Sequence, residues 1–187
     1  DLSYAVRLAA ALKKQNSDVR ILLIGDGVER QKLIKEAKQQ SVFETNLFFE
    51  NQVPKKEIVA CYSASNMCAN FVIDIEETWA NSANKFFDCL AAGKPIFLNH
   101  GGWMQDIVSS YNCGLCMHGK PIDTVAKELD LIMSNSNWLH VAGKSAEKLA
   151  RDFFDRDILA HQLENVLIAT QKGNPEDVEK IAKGVYK

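Results

Sequence analysis

The run VRILLIGDG, Val19 to Gly27, is a short and nearly continuous apolar stretch closed by Gly-Asp-Gly. Such a run predicts a strand covered on both faces, the kind that parallel sheets are built from. On its N-terminal side Leu2, Val6, Ala9 and Leu12 recur at helical spacing and end in KKQNSD, an amphipathic helix running into a polar turn.

On its C-terminal side the alternation continues. Helices are expected over Glu29–Gln40, Lys55–Ser63, Asn84–Ala92, Gln105–Tyr111 and Asp123–Ser134, with a last one from Trp138 to about Thr170. Strands are expected over Asn46–Phe49, Met67–Ile73, Pro95–Leu98 and Gly114–Met117. Strand-helix alternation over this length is the sequence form of right-handed crossovers, so the fold class is α/β with a doubly wound parallel sheet, Rossmann-like. One domain over residues 1–170 and a polar tail over 171–187 complete the organisation. The chain opens on a helix where such a fold opens on a strand. A missing first strand, and a fragment of a larger protein, are therefore expected.

At 187 residues and 47% hydrophobic, the chain can bury one full core. With 22 basic and 24 acidic residues and a net charge of -2, it offers no electrostatic footprint for nucleic acid, which is set aside as a partner. No apolar run approaches the roughly 20 residues of a spanning helix, and the N-terminus lacks the order of a secretion signal. Five irregularly spaced cysteines argue for reduced thiols and a cytoplasmic location.

Ligands of doubly wound folds bind beyond the carboxyl ends of the strands. Among those segments NSANKFFDCLAAGKP, Asn81 to Pro95, carries the most chemistry. Ser82 or Asn81 is placed to cap the helix, leaving amides near Ala83, Asn84 and Lys85 for an anion. Lys85 adds charge and the Asn84 amide a donor. Asp88 lies one turn further along the same face, about 5 to 6 Å away, where a carboxylate could take both hydroxyls of a ribose. A solvated helix start with an i,i+3 pair accounts for the same residues. Gly93 and Pro95 end the helix.

The run NKFFDCLAAGKPIF, followed by NHGGW, resembles the donor-binding C-terminal domain of retaining glycosyltransferases of the GT-B class, particularly family four. LLIGDGVERQKLIKEAKQ and FENQVPKKEIVACYSASNM are similar to further segments of that family, and the likeness covers most of Val19 to Val108. It implies a nucleotide-sugar donor, with UDP the expected carrier. The Val53 backbone would lie at the base, Ser82 to Lys85 at the diphosphate, and Asp88 at the ribose. The family's first acid is replaced by Ala80, which leaves the donor sugar unassigned; the variant looks like bacterial transferases that use UDP-linked N-acetyl sugars in surface-polysaccharide assembly.

His100, Gly101 and Gly102 are further candidates for the site. The resemblance implies no metal and no cofactor, no catalytic residue within this chain, and transfer with retention. It also implies an N-terminal acceptor domain outside the chain, and membrane contact, at the inner face, only through the full-length protein. A GT-B UDP-sugar epimerase and a non-catalytic binding module remain the alternatives.

Other patterns read more plainly. Gly25-Asp26-Gly27 lacks the third glycine of a dinucleotide loop, Arg30 standing in its place, and is read as a turn. Cys113 and Cys116 have redox spacing but precede a strand, and Cys61, Cys68 and Cys89 fall on apolar patterns. His118, His140 and His161 form no ligand spacing. Trp79 and Trp103 could line a sugar site or cover core edges. Glu76 and Glu77 are read as solvated rather than as substitutes for the acid missing at Ala80.

Overall fold

The computed structural model describes residues 1–173 together with Val178 and Ile181; the rest of the expected tail over 171–187 lies outside the described residues. Helices and strands alternate as α1 (Ser3–Lys14), β1 (Ile21–Ile24), α2 (Arg30–Gln39), β2 (Leu47–Glu50), α3 (Lys55–Ala64) and β3 (Cys68–Asn70). A 3-10 turn at Glu76–Thr78 leads into α4 (Asn84–Ala91), β4 (Ile96–Leu98), α5 (Trp103–Ser110), β5 (Gly114–Cys116) and α6 (Ile122–Met133). Two further helices follow, α7 (Ser136–Phe153) and α8 (Arg156–Gln171).

All strand pairings are parallel: β1 with β2, and β3-β4-β5 in order. Side chains of β4 alternate across the sheet as its pleat requires. Phe97 packs with Leu8 and Leu12 of α1 and Val125 and Leu129 of α6, while Ile96 and Leu98 pack with Phe86 and Leu90 of α4, Met104 of α5 and Leu149 of α7. Helices therefore cover both faces of this sheet. A third cluster holds Val6 and Ala9 of α1 against Leu33 and Ala37 of α2 and Leu47 of β2.

The two-stranded and three-stranded sheets part between β1 and β3. Parallel strands donate amides alternately to either side. Ile21 and Gly25 donate to Asn46 and Glu50, so the amides of Leu22 and Ile24 face away from β2. Cys68 donates to Pro95, so the Ala69 amide faces away from β4. This divide is where the doubly wound order 3-2-1-4-5-6 places its first strand.

Three expectations are corrected. β1 is not covered on both faces: Leu22 is 52% exposed, while Ile21 and Leu23 pack against the clusters beneath α1. The strand expected over Met67–Ile73 shortens to Cys68–Asn70, since the Asn99 side chain takes both the N–H and the carbonyl of Val72, each at 2.9 Å. The long C-terminal helix breaks at Phe154 and Asp155, where the Asp155 carboxylate caps α8 by accepting from the amides of Asp157 and Ile158. Phe153 and Phe154 close on the α4–α5 layer, Phe154 meeting Phe87 at 5.0 Å.

Candidate functional site

α4 begins where the loop after β3 returns to the sheet. Its N-cap is Ala83, in extended conformation, and no side chain bonds the amides that follow. Neither Ser82 nor Asn81 caps it, which corrects the sequence expectation: the Asn81 carbonyl is held instead by the Trp103 indole N–H at 3.1 Å. Phe86 N–H is satisfied by the Ala83 carbonyl at 2.9 Å, which leaves the Asn84 and Lys85 amides as the orphan donors of this helix end. An uncapped mouth of this kind favours an anion through both N–H groups and the helix dipole.

Asn81, Ser82, Asn84, Lys85 and Asp88 are all exposed, with Phe86, Cys89 and Leu90 on the buried side of α4. Apolar burial on one face thus turns the three polar residues of this helix outward together. Lys85 lies close enough to the Asp1 amino group to depress its pKa, after burial, which acts in the same direction. Asp88 stands on the α3 side, where its charge joins burial and Cys89 in raising the pKa of Tyr62. Val53, half-buried in the loop after β2, precedes α3. The helix ends at Gly93 in the left-handed region (φ +64), with Lys94 N–H bonded to the Cys89 carbonyl, as its sequence signal implied.

His100 is fully buried, its Nδ1 against the Gly101 carbonyl at 2.8 Å and its Nε2 without a partner. Gly101 and Gly102 lie under Trp79: a Cβ on Gly102 (φ +93) would meet the Trp79 Cβ and carbonyl oxygen at 2.6 Å, and one on Gly101 the indole at 3.0 Å. The close approach of Trp79 therefore accounts for both glycines. Glu76, Glu77 and Ala80 are exposed on the same loop.

Sequence reasoning passed over one constellation at this edge. Asp74, after β3, accepts from His118 Nδ1 at 2.7 Å and from Trp79 Nε1 at 3.0 Å. The Gly101 amide adds a longer contact at 3.4 Å. The signal available was positional: both Asp74 and His118 follow a strand at its carboxyl end. Burial pushes the Asp74 carboxyl up, but the bonds from His118 and Trp79 outweigh it and hold its pKa below the ordinary value.

Gly25 adopts φ +137 and the Asp26 carboxylate accepts from Gly27 N–H at 2.8 Å, a self-contained turn. All five cysteines are free thiols. Among the described residues no group of His, Cys, Asp and Glu has metal-holding geometry, and no helix is long and apolar enough to cross a membrane. Two surface hollows, about 400 Å³ beside the C-terminal end of α4 and about 630 Å³ between α1 and α6, contain none of the candidate residues.

A family model described as "Glycosyl transferases group 1" matches residues 1–149. No curated protein matches the sequence. Among solved structures, WaaG, a glycosyltransferase involved in lipopolysaccharide biosynthesis, is similar with a TM-score of 0.66 and 12% identity over 81% of this chain and 39% of that one. TarM is similar at a TM-score of 0.74 and 12% identity, and a variant of Staphylococcus aureus TarM in complex with fondaparinux, α-GlcNAc-glycerol and UDP at 0.72 and 14%. Each TarM match covers 88% of this chain and 32% of that chain. The present chain thus spans 32–39% of those neighbours, and at such identities the likeness shows the fold alone.

Proposed function

Since this chain belongs to the group 1 glycosyl transferases, we propose that it is the donor-binding half of an enzyme that moves a sugar from a nucleotide diphosphate to an acceptor. The carrying observation is the uncapped mouth of α4 with Asn84, Lys85 and Asp88 exposed along one face. Diphosphate sits on the Asn84 and Lys85 amides and the Lys85 ammonium, and Asp88 accepts from the ribose hydroxyls one turn in. The base lies toward Val53, on the side of α4 that Asp88 shares with α3.

The same donors serve the chemistry. As the glycosidic bond breaks, negative charge grows on the departing diphosphate, and fixed amides and an ammonium at the helix mouth stabilise it without reorganising. The proposal therefore calls on no metal and no cofactor. UDP is the assigned carrier, which the UDP in the TarM complex supports, and a UDP-linked N-acetyl sugar the assigned donor. The acceptor is a polysaccharide or lipid-linked glycan, in keeping with the role of WaaG in lipopolysaccharide biosynthesis. Transfer proceeds with retention, in the cytoplasm. The acceptor-binding half belongs to sequence outside these residues, and any membrane contact is made through the whole protein.

Thermal melting of the chain with UDP, ADP and GDP tests this reading. UDP should raise the melting temperature and Asp88→Ala should shrink the rise. No shift with any of the three would overturn it.

A further inference from the structure

We propose that the sugar moiety of the donor is received by His118 and Trp79, in a subsite formed where the loops after β3 and β5 meet. This rests on the donor reading above and extends it to residues that reading does not use. A nucleotide sugar is a linear molecule in which base, ribose, diphosphate and sugar follow one another. The first three have assigned positions: Val53 after β2, Asp88 on the α3 side of α4, and the α4 mouth after β3. These run along the carboxyl edge from β2 toward β3. The diphosphate can bend, but the sugar stays within a few bonds of the α4 mouth, where the loop carrying Trp79 enters the helix and the exits of β4 and β5 lie next in the sheet at about 4.8 Å per strand.

The loop after β3 reaches this place. Asp74 crosses to His118, beyond the end of β5, and Trp79 lies over Gly101 and Gly102 with its ring edge-on to His118 at 5.1 Å. The carboxylate bonded to Nδ1 holds a proton there, which leaves Nε2 as the ring nitrogen that can meet a ligand. The His118 side chain is 36% exposed, and no described residue bonds its Nε2. A sugar hydroxyl, which both donates and accepts, can bond Nε2, while the indole offers an apolar surface to the ring carbons. Both Asp74 oxygens are engaged, Oδ2 by His118 and Oδ1 by Trp79 and Gly101, so Asp74 is a positioning residue.

A staple between two loops would show the same contacts, so the test must separate binding from folding. Affinities of the chain for UDP and for UDP-glucose, UDP-galactose, UDP-GlcNAc and UDP-GalNAc are measured for the wild type and for His118→Asn, Trp79→Phe and Asp74→Asn. Asparagine at 118 retains a donor toward Asp74 but lacks the Nε2 atom. The wild type should bind at least one UDP-sugar more tightly than UDP. Each variant should lower that preference, His118→Asn by about five-fold, with UDP affinity unchanged; Trp79→Phe carries the test should the others fail to fold. A UDP-sugar preference that is missing in the wild type, or that survives in all folded variants, overturns the subsite and leaves the UDP site standing. Loss of UDP binding by the wild type itself removes the donor reading instead.

Discussion

Gly143 of α7 faces Gly93 at the end of α4 so closely that a Cβ on Gly143 would stand 2.5 Å from the Gly93 carbonyl oxygen. The obstacle is backbone, which cannot swing aside as a side chain does, and it belongs to the helix whose other end forms the candidate anion site. Gly143→Ala should therefore force α7 off α4 and destabilise the chain by about 1–3 kcal/mol. Gly27→Ala, whose added Cβ would meet nothing within 4 Å, is the control. Urea unfolding of both variants checks the contrast; equal midpoints would mean that the two helices part freely.

Asp88 makes a sharper prediction about the nucleotide. An exposed carboxylate that takes the ribose diol accepts two hydrogen bonds, and removing the 2′-hydroxyl leaves one. Hydrogen bonds to a charged group contribute about 1.5–3 kcal/mol, so dUDP should bind at least ten-fold more weakly than UDP. In Asp88→Ala the two nucleotides should bind equally. Calorimetric titration of both ligands into both proteins measures this directly, and discrimination that persists without the carboxylate would place the ribose elsewhere.

The parts of this site that were legible in the sequence are those written in local punctuation. The span of α4, its glycine stop and the outward trio Asn84, Lys85 and Asp88 follow from one helical period and one cap signal. The cap was misread because the choice of cap is tertiary: the Trp103 indole bonds the Asn81 carbonyl, and the helix starts from Ala83 with no side-chain cap. Asp74 and His118 stand 44 positions apart with no shared motif, so only the sheet, which brings their strand exits together, reveals the pair. The break between α7 and α8 escaped notice for the opposite reason. Apolar periodicity runs through Phe153 and Phe154 and masks the capping carboxylate of Asp155.

Stability should fall on the alkaline side. Burial pushes the Cys113 thiol up to about 12 and the Tyr4 hydroxyl up to about 12. In the unfolded chain these groups ionise near 8.5 and 10. Their folded pKa values are raised, so the folded state keeps protons that the unfolded state releases. The associated stability is whole below the unfolded values and is lost as pH climbs toward about 12. The melting temperature should decline from roughly pH 8.5 upward. Its bond with Cys68 raises the Cys89 thiol and burial raises the Cys116 thiol in the same direction, so Cys113→Ala should make the decline shallower without moving its onset. A slope unchanged by that substitution would show that Cys113 takes no part in the decline.

The divide between β1 and β3 carries the last prediction. The Leu22 and Ile24 amides on one side and the Ala69 amide on the other point into it, while α1 spans both sheets, Val6 and Ala9 packing with Leu47 of β2 and Tyr4 with Phe97 of β4 at 6.3 Å. The Asp1 amino group, at the head of α1, senses both Glu29 and Lys85, which lie at the starts of α2 and α4 on the carboxyl edge. A strand leading into α1 from that edge would run parallel to the other five and join them by the right-handed connection such sheets require. We propose that sequence preceding Asp1 in the whole protein supplies it. Hydrogen exchange on the 187-residue chain should find Leu22 and Ala69 amides fast and the Leu23 amide, which pairs with β2, slow. In a protein extended upstream of Asp1 the fast pair should become as protected as Leu23. Unchanged exchange at Leu22 and Ala69 in the extended protein would refute the sixth strand.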